Sequence, residues 1–212
     1  MIRHIVTLNY KDGFSPEENK ANALQVKQKL EALVDVIPGM NSFIVYTNAL
    51  SSSNKDLCMY TLFESEPSLA AYQIHPAHTE VAAYVASVMQ NRVCVDYIVA
   101  NESIAAAMQN TAKVRHIVSW QYKPGFTDAE NKANAAAVKQ RLEALKSNIS
   151  GILSLTVETK LCPSSSHNIV LNSVFESEDA LAAYQVHPAH IEVSNFVGTV
   201  MCGRACVDFM EI

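Results

Sequence analysis

Residues 63–78 read Phe-Glu-Ser-Glu-Pro-Ser-Leu-Ala-Ala-Tyr-Gln-Ile-His-Pro-Ala-His, and residues 175–190 read Phe-Glu-Ser-Glu-Asp-Ala-Leu-Ala-Ala-Tyr-Gln-Val-His-Pro-Ala-His. Each stretch packs a phenol and two imidazoles into seven residues: Tyr72, His75 and His78, then Tyr184, His187 and His190. Phe63 reads as the end of a strand and the residues after it as a short helix. Pro76 then forces a break, because proline has no N–H and disfavours helix at the residue before it. Three residues apart on that helix, Tyr72 and His75 are expected to share a face. His78 lies past the break and opens the next helix.

The repetition extends outward from these stretches. A shift of 112 residues aligns the halves without a gap from Ile2 to Phe209: His4 meets His116, Tyr10 meets Tyr122, Gly39 meets Gly151 and Arg92 meets Arg204. Self-similarity at this period marks a duplicated domain rather than a solenoid. We expect one copy over residues 1–100, a connector over 101–113 and a second copy over 114–212. The connector is polar at its ends and alanine-rich between, which suits a short helical turn whose role is reach.

Each copy carries the same order of elements. Residues 2–10 alternate, with Ile2, His4, Val6, Leu8 and Tyr10 on one face and Arg3, Ile5, Thr7 and Asn9 on the other, which is a strand. Ser15-Pro16-Glu17-Glu18 is a helix start, with a serine cap, proline at the first position and glutamate three after the cap. Ala23, Val26, Leu30, Leu33 and Ile37 then recur at helical spacing up to Pro38-Gly39. Strands follow near 40–47 and 57–63, then the broken helix up to Met89, then a last strand near 92–99. The order β-α-β-β-α-β is that of the ferredoxin-like unit, so the fold class is α+β. Helices cover one face of such a sheet. On the other face Ile5, Cys58, Tyr60 and Leu62 need a partner, which the second copy can supply. The two antiparallel sheets are therefore expected to face each other, as an internal dimer within one chain.

Composition narrows the partners. The chain is 49% hydrophobic with net charge −5 and has no basic stripe, which argues against nucleic acid. No apolar run approaches the length of a membrane span, and Met1 to Val6 reads as a strand rather than a signal peptide. Five cysteines, an odd number without a C-x-x-C pair, suit a reducing, cytoplasmic setting more than a disulfide framework. The reading calls for no cofactor and no metal. A His-x-x-His zinc site at 75 and 78 lacks a third ligand at fixed spacing, and Cys202 with Cys206 has no matching histidine pair.

The histidines carry the chemistry. His78 and His190 can serve as general bases, or can satisfy buried groups at the helix break. His75 and His187, before proline, are expected to hold the break. His4 and His116 lie on the helix-covered strand face, as core residues or as pocket lining. Arg92 and Arg204 are read first as surface partners of acids such as Asp96 and Asp208, and second as holders of a ligand carboxylate; His167 is expected to be solvated. Trp120 belongs to an aromatic group near the first strand of its copy, read first as core and second as pocket lining.

The opening His4-Ile5-Val6, the strand end Phe63-Glu64-Ser65 and above all Tyr72-Gln73-Ile74-His75-Pro76-Ala77-His78, each present in both copies, resemble the stress-responsive α/β barrel (Dabb, dimeric α/β barrel) family. Members are usually single domains that form homodimers, so a tandem pair resembles such a dimer fused. In a plant member, olivetolic acid cyclase, the tyrosine and last histidine of this signature close a polyketide by aldol chemistry. The resemblance thus implies catalytic pairs Tyr72 with His78 and Tyr184 with His190, and pocket positions His4 and His116. Leu57 and Ile169 stand where the cyclase has a further histidine, which makes the pocket more apolar and counts against carrying the cyclase chemistry over. Two functions follow as expectations. One is a stress-associated or small-molecule-binding protein with an apolar ligand, monomeric or loosely self-associating. The other is a cofactor-free enzyme, cyclase-like or oxygenase, using the Tyr/His pair of each copy. An enclosed cavity reaching Tyr72, His78 and His4 would favour the second.

Overall fold

The computed structural model describes residues 1–99 and 113–211. The expected connector, except for Lys113, lies outside the described residues. In the first copy the order is β1 (Ile2–Tyr10), α1 (Pro16–Glu31), β2 (Met40–Tyr46), β3 (Leu57–Phe63), α2 (Glu66–Ile74), α3 (Pro76–Val88) and β4 (Met89–Ile98). The second repeats it as β5 (Lys113–Tyr122), α4 (Asp128–Asn148), β6 (Ile152–Glu158), β7 (Ile169–Phe175), α5 (Glu178–Val186), α6 (Pro188–Val200) and β8 (Met201–Glu211). Both sheets are antiparallel, ordered β2-β3-β1-β4 and β6-β7-β5-β8.

Local chemistry sets the ends. Ser15 Oγ accepts the Glu18 N–H while the Glu18 carboxylate accepts the Ser15 N–H, so two orphan donors of α1 are satisfied reciprocally. The first helix stops sooner than its apolar spacing suggests. It tightens at Ala32–Asp35 into a 3-10 turn, where the Leu33 carbonyl takes the N–H groups of both Val36 and Ile37. The last strand begins three residues earlier than its sequence indicates. Met89 is already extended, and the chain then passes through Asn91 at φ 53°.

Gly39 turns the chain into β2 at φ 85°, and its carbonyl accepts the Glu64 N–H. A Cβ there would lie 2.7 Å from Ser68 Cβ. Gly39→Ala should therefore cost about 1–3 kcal/mol, from left-handed strain plus the clash. Urea unfolding measures it, and an unchanged midpoint would refute this account of the turn.

Ile2, Val6 and Leu8 pack under the helices with Leu30, Leu69, Tyr72 and Val85. The opposite faces meet each other. Ile5, Cys58, Tyr60, Val95 and Tyr97 form one buried cluster with Ile117, Val170, Val207 and Phe209 of the second copy. Burying each large apolar side chain contributes about 1.5–3 kcal/mol. The β2–β3 loop reaches across: Leu50 N–H donates to the Asp208 carbonyl and Asn54 N–H to that of Cys206. The β6–β7 loop does the same on β4, through Cys162 N–H to Asp96 and Ser166 N–H to Cys94. The facing surfaces are complementary rather than identical. Asn172 stands at the position matching Tyr60 and donates to both Tyr60 Oη, at 3.0 Å, and Tyr97 Oη, at 3.1 Å. Arg115 lies over the Tyr60 ring at 4.8 Å and pairs with Glu211. Among the described residues no helix is long and apolar enough to cross a membrane.

Candidate functional site

The helix break places the site. His75 ends α2 and caps α3: its backbone is extended, and its Nδ1 accepts the Ala77 N–H at 3.2 Å. It is thus out of the helix, and the shared face expected for Tyr72 and His75 does not form. His78, in the first turn of α3, lies over Tyr72 instead, with ring centroids 4.1 Å apart. His78 Nδ1 is 3.2 Å from the Gln73 carbonyl. A carbonyl only accepts, so Nδ1 carries the proton and Nε2 keeps the lone pair. Tyr72 is buried against Phe63 at 5.1 Å and Phe43 at 6.1 Å, and His4 meets it edge-on at 6.2 Å.

His4 is held from behind. Its Nδ1 is 2.5 Å from Asp96 Oδ1. The other carboxylate oxygen accepts from Ser164 Oγ at 2.5 Å and from Cys94 Sγ at 3.5 Å. Ser164 belongs to the second copy, so one half of the chain completes the dyad of the other. The mirror arrangement is present: His116 Nδ1 lies 2.5 Å from Asp208 Oδ1, and Ser52 of the first copy donates to Asp208 Oδ2. Tyr184 and His190 also repeat their geometry, with centroids 4.2 Å apart and His190 Nδ1 3.1 Å from the Gln185 carbonyl.

A cavity of about 190 Å³ opens between helices and sheet in the first copy. His4, Leu8, Met59, Tyr72, His78 and Arg92 are among its lining residues. The structure thus brings together the first-copy residues singled out from the sequence, with one correction. Leu57 is fully buried opposite Leu8 and does not line the cavity. Ile169 holds the matching core position opposite Trp120.

Burial keeps His78 and His190 below the ordinary imidazole range, against the pull of the Gln73 and Gln185 carbonyls, so both are neutral acceptors near neutral pH. Burial raises Tyr72 and Tyr184, so both phenols keep their protons. Burial disfavours the charge on His116, but its hydrogen bonds to Asp208 and Cys206 and their charges overcome this and raise it to about 9. A folded value above the ordinary 6.5 means this group adds stability below pH 6.5 that is lost as pH rises through about 9. The melting temperature should fall more steeply between pH 7 and 10 in the wild type than in His116→Gln. Parallel curves would show that the pair does not carry this charge.

Several residues were missed or misplaced by sequence reasoning. Asp96 and Asp208 are fully buried on the dyad histidines, not paired at the surface with Arg92 and Arg204. The available signal was an acid inside the apolar strand runs Val93-Cys94-Val95-Asp96-Tyr97 and Cys206-Val207-Asp208-Phe209, where a buried carboxylate demands a partner. Ser164 and Ser52 gave no local signal. His167 is buried on Ser119 Oγ at 2.9 Å rather than solvated. His4, Cys94 and Asp96, like His116, Cys206 and Asp208, offer metal-type donors within 4.8 Å of one another. Each imidazole is already in direct contact with its carboxylate, however, so an ion would have to displace that hydrogen bond.

No curated protein matches the chain. Among solved structures, an anthrone oxidase-like protein is 12% identical with TM-score 0.71, over 100% of this chain and 91% of that one. A monooxygenase-like protein from Fusobacterium nucleatum is 14% identical with TM-score 0.56, over 99% and 91%. At these identities the likeness is one of fold alone, but it spans both copies. A dimeric, ferredoxin-like protein of unknown function from Bacteroides fragilis is 30% identical with TM-score 0.44, covering 46% of this chain and 95% of its own. The profile of the stress responsive A/B barrel domain matches residues 2–99 and again 114–211. With the signature, the repeated unit and the facing sheets in place, the chain belongs to the stress responsive A/B barrel (Dabb) family, as two tandem copies.

Proposed function

We propose that this tandem protein binds a small, largely apolar carbonyl compound in the first-copy cavity and moves a proton on the carbon beside the carbonyl, without a cofactor. The observation that supports it is the convergence of His78, Tyr72 and His4 on one partly open cavity. His78 Nε2 has the lone pair a general base needs. Tyr72, kept protonated by burial, is the donor for the enolate oxygen that forms as the proton leaves. His78 exchanges the abstracted proton with solvent and returns one to the same carbon, while His4, oriented by Asp96, lines the same cavity. An aldol closure and an oxygen-consuming reaction both begin from this same enolate. Tyr184, His190 and His116 repeat the constellation in the second copy.

We also propose that one chain makes one barrel, in a reducing, cytoplasmic setting where its five free thiols persist. The sheet faces turned away from the helices cover one another within the chain, which supports this reading.

The test is hydrogen exchange at carbon. Phenylacetone and similar small ketones are incubated with the protein in deuterated buffer, and loss of the α-proton signal is followed by NMR. Exchange well above the buffer rate supports the reading. A thermal shift without exchange would reduce it to binding alone, and neither effect would sink it.

A further inference from the structure

The two copies share the Tyr, His and Arg groups of the site, yet six lining positions differ: Leu8/Trp120, Met59/Leu171, Ala82/Ser194, Ala86/Gly198, Gln90/Cys202 and Asn91/Gly203, of which Trp120 adds by far the most volume. Leu8 lines the first-copy cavity, and the matching residue of the second copy is Trp120. Both sit where the first strand of their copy bulges: the pairing with the last strand slips between Thr7 and Asn9, and again between Ser119 and Gln121. A bulge re-aims the side chain it carries. Trp120 is buried in the second-copy core together with Leu142, Tyr184 and Met201, which match the lining residues Leu30, Tyr72 and Met89. An indole therefore stands in the region that the first copy leaves open. A second observation agrees: Tyr184 Oη is buried without a hydrogen-bond partner. A sealed phenol of that kind cannot meet a ligand.

Resting on the cavity reading above, we infer that the copies have specialised: the first is the ligand-binding copy, and the second is a filled copy whose role is to close the barrel and hold the first dyad through Ser164. The cavity also sets the ligand class. A space of 190 Å³ is that of one substituted ring, since dry cavities of about 150 Å³ accept benzene. Its lining is mainly apolar, and Arg92, which forms no salt bridge among the described residues, is the cation beside it. The occupant is a one-ring carbonyl compound that also carries a carboxylate, or a chain of equal size, with its acid group toward Arg92.

Fluorine NMR titration with 4-fluorobenzoate, and with fluorobenzene as the uncharged control, tests this. The wild type should bind one equivalent. Leu8→Trp, or the milder Leu8→Phe should Leu8→Trp fail to fold, should weaken binding of both probes by about tenfold or more. Trp120→Leu, checked for folding by circular dichroism, should raise the stoichiometry to two. Arg92→Gln should weaken 4-fluorobenzoate about tenfold and leave fluorobenzene unchanged. Two equivalents in the wild type, undiminished affinity in the folded Leu8 variants, or no binding of either probe would overturn the inference. The proposed chemistry fails separately. One site with this mutational pattern but no proton exchange on any ketone removes the enzyme and keeps the copy assignment. Exchange that survives Leu8→Trp and is lost in His190→Ala does the reverse.

Discussion

Asp208→Ala should destabilise the protein by about 3 kcal/mol or more, the usual cost of stripping one partner from a buried charged pair. Asp208 is fully buried and joins three things: the His116 imidazole, the hydroxyl of Ser52 from the other copy, and the thiol of Cys206. Removing the carboxylate strands His116 in an apolar site, where it must give up its charge. It also loosens the β2–β3 loop, whose remaining hold on β8 is through backbone bonds, Asn54, and the Ser53 hydroxyl that accepts the Asp208 N–H. Asp208→Asn keeps an oxygen facing His116 Nδ1 and should lose much less, about 1 kcal/mol. Thermal and urea unfolding of both variants decide the matter. Equal stability of wild type and Asp208→Ala would mean that the dyad is not the clamp its geometry indicates.

The second large effect concerns chemistry. In the proton-exchange assay His78→Ala should lower the rate by about 10²- to 10⁴-fold, the usual contribution of a positioned base. The ring lying over Tyr72 is then absent, and the other imidazole of the cavity, His4, is held at a different place by Asp96. Given Trp120, His190→Ala should leave exchange unchanged, because a closed second pocket adds nothing to the total. This departs from two equivalent sites, for which each single variant would lose about half. A double variant that retains full activity with its fold intact would end the catalytic reading.

Much of this molecule was legible in its chain. Alternation at Ile2 to Tyr10, the reciprocal cap of Ser15 and Glu18 and the break at Pro76 are local effects, decided within a few residues by side-chain direction, hydrogen bonding and the missing proline N–H. Such effects need no knowledge of the rest of the fold. The 112-residue repeat and the apolar second face of the sheet together implied that the copies would face each other. Tyr72 with His78 followed only from the family resemblance. Local spacing paired Tyr72 with His75, and the extended cap at His75 takes that residue out of the helix while the start of α3 turns His78 over Tyr72.

What the sequence did not disclose depends on contacts between distant residues. His4 and Asp96 are 92 positions apart, and only the register of β1 on β4 makes them partners. Ser164 reaches Asp96 from the other copy, through a loop whose serines look solvent-facing in the sequence. Whether Leu8 bounds a hole and Trp120 fills one is a question of volume. Volume is set by every neighbour at once, so an apolar residue at a strand position reads the same in either case until the helices are packed over it.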